Sequence, residues 1–260
     1  MKSSDKIGWA VTAEKLMVDK TLPLAVDDGS ARLRVYPHEM ERKIQKKDSL
    51  VEDAYKVLKA SILDGTLPAG YQAVEHRIAD QLNMSRTPVH EAVIRLQHEG
   101  LVRVMPRRGV QVLPILASDM IEVYQLLVAM EGTAAMLLAK DPDRAQASIQ
   151  MLEDATSQME RALDADDLRG WARADDQFHR VLVNESGNRR LAKMTATLID
   201  QAQRARAVTL PFRSVPRMSV QEHRIIISAI RAGDQIGARA AAEGHRTRAS
   251  GEIIKAIGRL

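Results

Sequence analysis

The sequence predicts a mostly α-helical protein: a small helical domain closed by a β-hairpin, followed by an all-helical bundle of six helices. Three observations carry this prediction. Aromatic residues make up only 3% of the chain, with Phe 2 and Trp 2, while Ala, Leu, Met and Arg recur throughout, a composition that suits helices packed by aliphatic side chains. From Ser49 onward apolar residues recur at helical spacing, interrupted by two short β-branched runs, LVRVM and VQVLP. Helix-breaking residues then punctuate the chain at Asp141-Pro142, Gly187 and Gly233.

Composition bounds the function. A chain of 260 residues that is 45% hydrophobic and 28% charged can bury a real core of one or two domains. With Cys 0 there is no disulfide framework, thiolate metal site or cysteine nucleophile, so any metal must sit on His, Asp or Glu. The first residues lack the apolar core of a signal peptide, and no continuous apolar run approaches the ~18 residues of a membrane span, so a cytoplasmic protein with no membrane partner is expected. Lys+Arg 38 against Asp+Glu 34 leaves +4, a mild excess whose placement matters more than its sum.

Residues 1–48 read as an N-terminal extension. LPLAVDDGSARLRVYP fits a short hairpin around Asp28-Gly29, and the charged run HEMERKIQKKD follows it. A weakly docked tail and a dimerisation or DNA-contacting arm both fit this segment.

Residues 49–114 form the small domain. SLVEDAYKVLKASILDG places Leu50, Ala54, Val57, Leu58 and Ile62 on one face of a helix that stops at Gly65. A short helix covers about Glu75 to Leu82. Ser85 then caps a third helix running to about Glu99, with Pro88 harmless in its first turn, Val89, Val93 and Leu96 facing inward, and Gly100 stopping it. The two β-branched runs, joined by Pro106-Arg107-Arg108-Gly109, make a hairpin with a basic tip. The pattern is a winged helix-turn-helix.

Charge placement suggests its use. Between Met84 and Val110 lie Arg86, Arg95, Arg103, Arg107 and Arg108 against Glu91 and Glu99, which gives a near-neutral protein one basic edge. Arg86 starts the third helix, where a recognition helix presents side chains to base edges, and His90 lies one turn along the same face. Arg107 and Arg108 at the wing tip are placed to reach phosphates or the minor groove.

Residues 115–260 read as helices near 118–140, 143–163, 166–185, 188–208, 220–232 and 234–257, with a looser stretch from Leu210 to Pro216. Within them Asp175 and His179 lie four apart on one helix face. His223 precedes Asp234 by 11 residues and His245 follows it by 11, so a helical hairpin turning there sets both imidazoles at one height. Asp175, His179, His223 and His245 thus form a candidate site for a divalent ion, Zn²⁺ foremost, with Ni²⁺ or Mn²⁺ as alternatives; Asp176 competes with Asp175 as ligand.

The run AVEHRIADQLNMSRTPVHEAVIRLQHEGLVRVMPRRGVQVLP resembles the GntR family of bacterial transcriptional regulators. Ser85 to Val89, which includes Arg86 and Thr87, stands where that family opens its recognition helix, and Glu99 to Val102 where it ends it. The family usually has arginine where this chain has His76 and His90, so the resemblance implies DNA contact there through a shorter, largely neutral side chain, with Arg77 beside His76 as a substitute cation. DDQFHRVLVNESGN, QEHRIIISAIRAGD and the late EGH resemble the FCD effector domain of FadR-type members of the family. That resemblance implies a divalent ion on Asp175, His179, His223 and His245. It also implies an effector-contacting arginine in the first bundle helix, but LLVAMEG carries Leu127 at that position.

Together these features predict a homodimeric regulator, a repressor in type, that reads a palindromic operator and responds to a small organic-acid effector, such as a carboxylic acid, bound near the ion. Two other readings draw on the same residues: a metal-dependent hydrolase or lyase, and an adaptor that uses wing and bundle for protein contacts without DNA.

Overall fold

The computed structural model describes residues 38–259. Its elements follow the predicted order. Helix α1 (His38–Leu63) is followed by a two-residue strand β1 (Gln72–Ala73), α2 (Glu75–Gln81) and α3 (Arg86–His98). The wing strands β2 (Val102–Met105) and β3 (Gly109–Val112) come next. Six helices complete the chain: α4 (Ala117–Ala139), α5 (Gln146–Asp164), α6 (Leu168–Asn184), α7 (Arg189–Thr209), α8 (Arg217–Arg231) and α9 (Gln235–Ile257). A single 3₁₀ turn, Leu210–Phe212, fills the looser stretch between α7 and α8.

Two differences concern the first domain. The hairpin expected around Asp28-Gly29 lies outside the described residues. The charged run read as part of the extension is instead helical from His38 and continues through the 48/49 boundary into α1. No Gly or Pro interrupts the chain between His38 and Asp64, so nothing local stops the helix from propagating backward.

The winged domain has its own core. Ala54, Tyr55, Leu58 and Ile62 of α1 meet Val89, Ala92, Val93 and Leu96 of α3, and Val102, Val110 and Val112 of the wing close the far side. The i, i+3, i+4, i+7 spacing on α3 buries one face and leaves the other to solvent. The sheet has three strands in the order β1-β3-β2, one more than the hairpin alone provides. Gln72 pairs with Gln111 and Ala73 with Val110. A two-residue strand is too short to show an alternating pattern, so this strand has no sequence signature. It explains Gly109: a Cβ there would stand 2.3 Å from the Ala73 carbonyl oxygen, at a φ of +86°.

In the bundle α4 is central, packed against α9, α7, α6 and α8. Leu127, Leu138, Leu152, Phe178, Leu182, Ile226 and Ile230 build the core. The side chains of Asp167, Asn188 and Asp234 cap α6, α7 and α9 by accepting from backbone N–H groups. Contrary to the reading from continuous apolar runs, α4 is by length and composition apolar enough to cross a membrane, with mean hydropathy 1.4 over its window. Its inward face, with Val123, Tyr124, Leu127, Ala134, Ala135 and Leu138, belongs to the bundle core, while Ile121 and Leu126 lie on its exposed face.

Helix α7 joins the two halves. The Gln201 amide donates to the Glu99 carbonyl at 3.0 Å, and Arg204 donates to the Leu113 carbonyl at 2.5 Å. Asp200 pairs with Lys59 of α1, whose ammonium also donates to Glu99 at 2.8 Å.

Candidate nucleic-acid interface and metal centre

The seven side chains singled out for DNA contact, His76, Arg77, Arg86, Thr87, His90, Arg107 and Arg108, are all exposed. His76 and Arg77 lie on α2, Arg86, Thr87 and His90 along the first turns of α3, and Arg107 and Arg108 at the wing tip. Ser85 occupies the N-cap position of α3 with extended backbone, but its side chain makes no capping bond. Arg107 sits at φ +63°, the left-handed bend that turns the hairpin.

Two of the basic groups are otherwise engaged. His90 Nδ1 lies 2.9 Å from a Glu75 carboxylate oxygen of α2, which ties it to the neighbouring helix. Arg95, counted above in the basic edge, stacks its guanidinium 3.5 Å from the Tyr55 ring centroid and donates to Glu52 at 2.7 Å. It cements α3 to α1, and the cationic edge is narrower than the count of arginines implies.

The candidate metal ligands converge. Asp175 and His179 from α6, His223 from α8 and His245 from α9 each offer one ligand atom within 4.8 Å of the others, and all four are buried. The hairpin argument for equal height holds: His223 Nε2 lies 3.2 Å from His245 Nε2, which lies 3.4 Å from His179 Nε2. Nitrogens tetrahedrally bound to one ion at ~2.1 Å stand about 3.4 Å apart, so the spacing suits a shared ion. Asp175 is looser, with oxygens 3.7 Å from His179 Nε2 and 3.9 Å from His223 Nε2. Asp176 does not compete: it accepts from Arg180 of the same helix at 2.7 Å and is not among the converging ligand atoms.

The outer nitrogens explain the orientation. His179 Nδ1 lies 2.9 Å from Glu131 Oε2, and His245 Nδ1 lies 2.7 Å from Glu222 Oε2. A carboxylate accepting the Nδ1 proton leaves Nε2 as the free donor of a lone pair. His223 has no such partner among the described residues, where its Nδ1 is buried without one. Its ring is instead stacked on Phe178 at 3.6 Å between centroids, which gives the Phe of Asp-x-x-Phe-His a mechanical role. The carboxylates are anchored in turn, Glu131 by Arg246 at 2.7 and 2.5 Å and Glu222 by Arg248.

Burial pushes the pKa of both His179 and His223 well below the usual imidazole range, so they are neutral ligands at pH 7. Burial alone would raise Asp175, but the Arg206 guanidinium 3.0 Å away outweighs it and the carboxyl is held low. The oxygen facing it, Asp175 Oδ2, makes no hydrogen bond among the described residues beyond this ion pair, so it keeps lone-pair capacity for a cation. The donor set fits a divalent cation.

Sequence reasoning passed over Glu131, Arg206, Arg246 and Arg248, and read Glu222 only as an unremarkable carboxylate. Glu222 had a local signal, since it adjoins His223. Arg246 is next to His245. Glu131 and Arg206 had none, because they meet the cluster across helix contacts.

A winged helix-turn-helix with exposed basic groups on its recognition helix, carried by a helical bundle with a buried polar centre, has the build of a DNA-binding regulator. The model of the bacterial regulatory proteins of the gntR family matches residues 50–112, and that of the FCD domain residues 122–248. A relative from Agrobacterium vitis, an HTH-type transcriptional regulator in the TAR-I ttuE-ttuC' intergenic region, is 46% identical over 134 residues, 51% of this chain and 78% of that protein. The HTH-type transcriptional repressor RspR of Escherichia coli is 26% identical, covering 70% of this chain and 79% of its own. The solved structure of E. coli McbR/YncC superposes with a TM-score of 0.70 at 19% identity, over 79% of this chain and 97% of that one. The chain belongs to the GntR family of DNA-binding transcriptional regulators and carries an FCD domain.

Proposed function

We propose that this protein is a cytoplasmic, homodimeric repressor whose affinity for a palindromic operator is set by a small organic acid bound beside a divalent ion. The observation that carries this reading is the presence on one chain of two unlike sites bridged by a single helix. Exposed Arg86, Thr87, Arg107 and Arg108 suit DNA; Asp175, His179, His223 and His245 suit an ion; α7 touches both halves. We take 49–114 and 115–260 as the two domains.

In this reading Arg86 and Thr87 read base edges, Arg107 and Arg108 hold phosphates or enter the minor groove, and His76 and Arg77 contact the backbone. His90 contributes only after parting from Glu75, which makes it the weakest reader of the seven. Asp175, His179, His223 and His245 would hold the ion, with zinc the first to test because three imidazoles and one carboxylate suit it. An ion held there would tie α6, α8 and α9 together and, by expanding beyond four ligands, would attract a carboxylate oxygen. Glu131 and Glu222 keep the histidine rings aimed inward. Effector binding that shifts α7 alters the Asp200, Gln201 and Arg204 contacts to the winged domain, so the two DNA-reading heads are re-spaced; the effector must bind the two arrangements with different affinity for this to work.

A repressor named among the relatives supports the sign of regulation. Both carboxylates nearest the cluster are committed to a histidine and an arginine, which weakens the hydrolase or lyase reading. The adaptor reading predicts that Arg86→Ala leaves DNA binding unchanged, or that the chain binds no DNA at all.

The test is a gel-shift titration of the full chain against its own upstream DNA at physiological salt, with and without zinc. Sequence-preferring binding with a twofold-symmetric footprint is expected. Binding without preference for any upstream sequence in either state overturns the regulator reading.

A further inference from the structure

The wing tip is held from outside its own hairpin. Gln72 of β1 stands 36 positions before Arg108, and its side-chain Nε2 donates to the Arg108 carbonyl oxygen at 2.8 Å. Within the tip the Arg108 N–H donates to the Met105 carbonyl at 3.0 Å, which closes the turn. The side chains of Arg107 and Arg108 are both exposed.

The backbone of the tip is not one that its residues would choose alone. Arg107 sits at φ +63°, in the left-handed region that a residue with a Cβ enters only at a cost. Such a conformation persists where the surroundings over-determine it. The surroundings here are β1. Gln72 pairs with Gln111 and Ala73 with Val110, and Gly109 lies so close to the backbone of Ala73 and Val74 that it has no room for a side chain. This ladder ends at Ala73, because α2 begins at Glu75 and the chain turns away. The Gln72 amide extends the hold of β1 past the last backbone pair, to Arg108 itself.

The same short segment is tied on its other side. Glu75 of α2 holds His90 of α3, with its carboxylate oxygens 2.9 and 3.1 Å from Nδ1. The corner at 72–75 therefore carries one bond to the wing tip and one to the recognition helix.

Resting on the reading in which Arg107 and Arg108 meet DNA, we propose that Gln72 is a positioning residue for DNA binding. Its amide fixes the wing tip relative to α3, so both arginines meet the duplex already in place. The bond uses the Arg108 backbone and leaves the guanidinium for DNA. Setting the tip beforehand cuts the ordering cost that association otherwise bears.

The test compares the parent chain with Gln72→Met, which keeps the length of the side chain and removes the donor, and repeats the comparison in a chain carrying Arg107→Ala and Arg108→Ala. Limited digestion of the parent and Gln72→Met chains without DNA reads the tip directly, because trypsin cleaves after Arg107 and Arg108. Gln72→Met is expected to speed cleavage there severalfold and to leave other sites unchanged. Fluorescence anisotropy with a duplex from the chain's own upstream region reads the consequence. Gln72→Met is expected to weaken binding about 3–10-fold, the range that one neutral hydrogen bond supplies. The salt slope is expected to stay the same, because both guanidiniums still reach phosphates. In the chain that lacks both arginines, Gln72→Met is expected to change affinity by less than about twofold.

Cleavage at the parent rate overturns the proposal. So does an equal loss of affinity with and without the two arginines, the mark of a general loosening of the winged domain. If the arginine pair weakens binding but Gln72→Met does not, the positioning role falls and the wing contact stands. If the chain lacking both arginines binds as tightly as the parent, the wing contact falls and takes the positioning role with it.

Discussion

Lys59 of the first helix and Asp200 of α7 form an ion pair across the junction between the winged domain and the bundle, with side chains 18% and 5% exposed. Asp200 also accepts from Arg180 at 2.6 Å, and Arg180 from there reaches Asp176, the neighbour of a proposed metal ligand. Burial alone would lower the lysine pKa, but its bonds to Asp200, Glu99 and Tyr55 outweigh that and raise it, so the ammonium stays charged across the neutral range. Lys59→Met is expected to cost about 1.5–3 kcal/mol, the usual worth of a hydrogen bond to a charged group. Urea unfolding measures it, and proteolysis near residues 113–117 should accelerate if the junction loosens. A loss below about 0.5 kcal/mol would place the pair with ordinary surface ion pairs.

Metal removal should be visible in stability. Binding to the folded chain alone stabilises by about 4 kcal/mol when the free ion stands a thousandfold above its Kd. The expected outcome is one ion per chain by elemental analysis after reconstitution and a raised Tm. His223→Ala and His245→Ala are expected to remove both effects. Stoichiometry well below one in the parent chain would rule the site out.

Glu131 has two duties, orienting His179 and neutralising Arg246, and all three side chains are 1% exposed. Glu131→Gln should therefore lower metal affinity about 10–100-fold, as loss of such an outer partner does. It should also destabilise the metal-free chain by about 3–5 kcal/mol, because Arg246 is left buried without its counter-charge. Competition with a chromogenic chelator reads the first effect and thermal unfolding the second.

On the DNA side, Arg86→Ala is expected to cost about 1–3 kcal/mol and to relax preference at one operator position. Arg107→Ala should weaken binding to every sequence alike and lower the salt slope by about one. His90→Ala should cost less than Arg86→Ala, because Glu75 already holds the imidazole. Footprinting and salt titration separate these outcomes.

The Glu222 carboxyl gives a pH dependence whose sign follows from its surroundings. Burial raises its pKa, but hydrogen bonds from His245 and Arg248 outweigh that and bring it from 4.5 to about 2. A depressed carboxyl contributes stability that is present above 4.5 and lost as pH falls toward 2. In metal-free protein the stability gap between the parent chain and Glu222→Gln should therefore narrow over that range. A gap unchanged from pH 6 to pH 3 would contradict the assignment.

Much of this protein is set by short-range pattern. The recognition helix, the wing and all six bundle helices follow from apolar periodicity and from Gly and Pro positions. The four cluster residues follow from spacing on one helix and symmetry about one hairpin turn. Both are local rules, which a linear chain records directly.

What only the tertiary structure decided lies between elements far apart in sequence. The choice of Asp175 over Asp176 depends on which way α6 faces: Asp175 joins the histidines, while Asp176 is held by Arg180, which also reaches Asp200 of α7. The third strand exists because β3 offers an open edge to Gln72 and Ala73. Arg95 left the basic edge because Tyr55 and Glu52 of another helix meet it. Glu131 reaches His179 across 48 positions, and Arg206 of α7 meets Asp175 of α6 only in the packed bundle. The sequence by itself determined which elements form and which residue types they carry. Which charged groups meet was decided by packing, because a buried charge takes its partner from whichever helix lies against it, and neither periodicity nor composition encodes that neighbour.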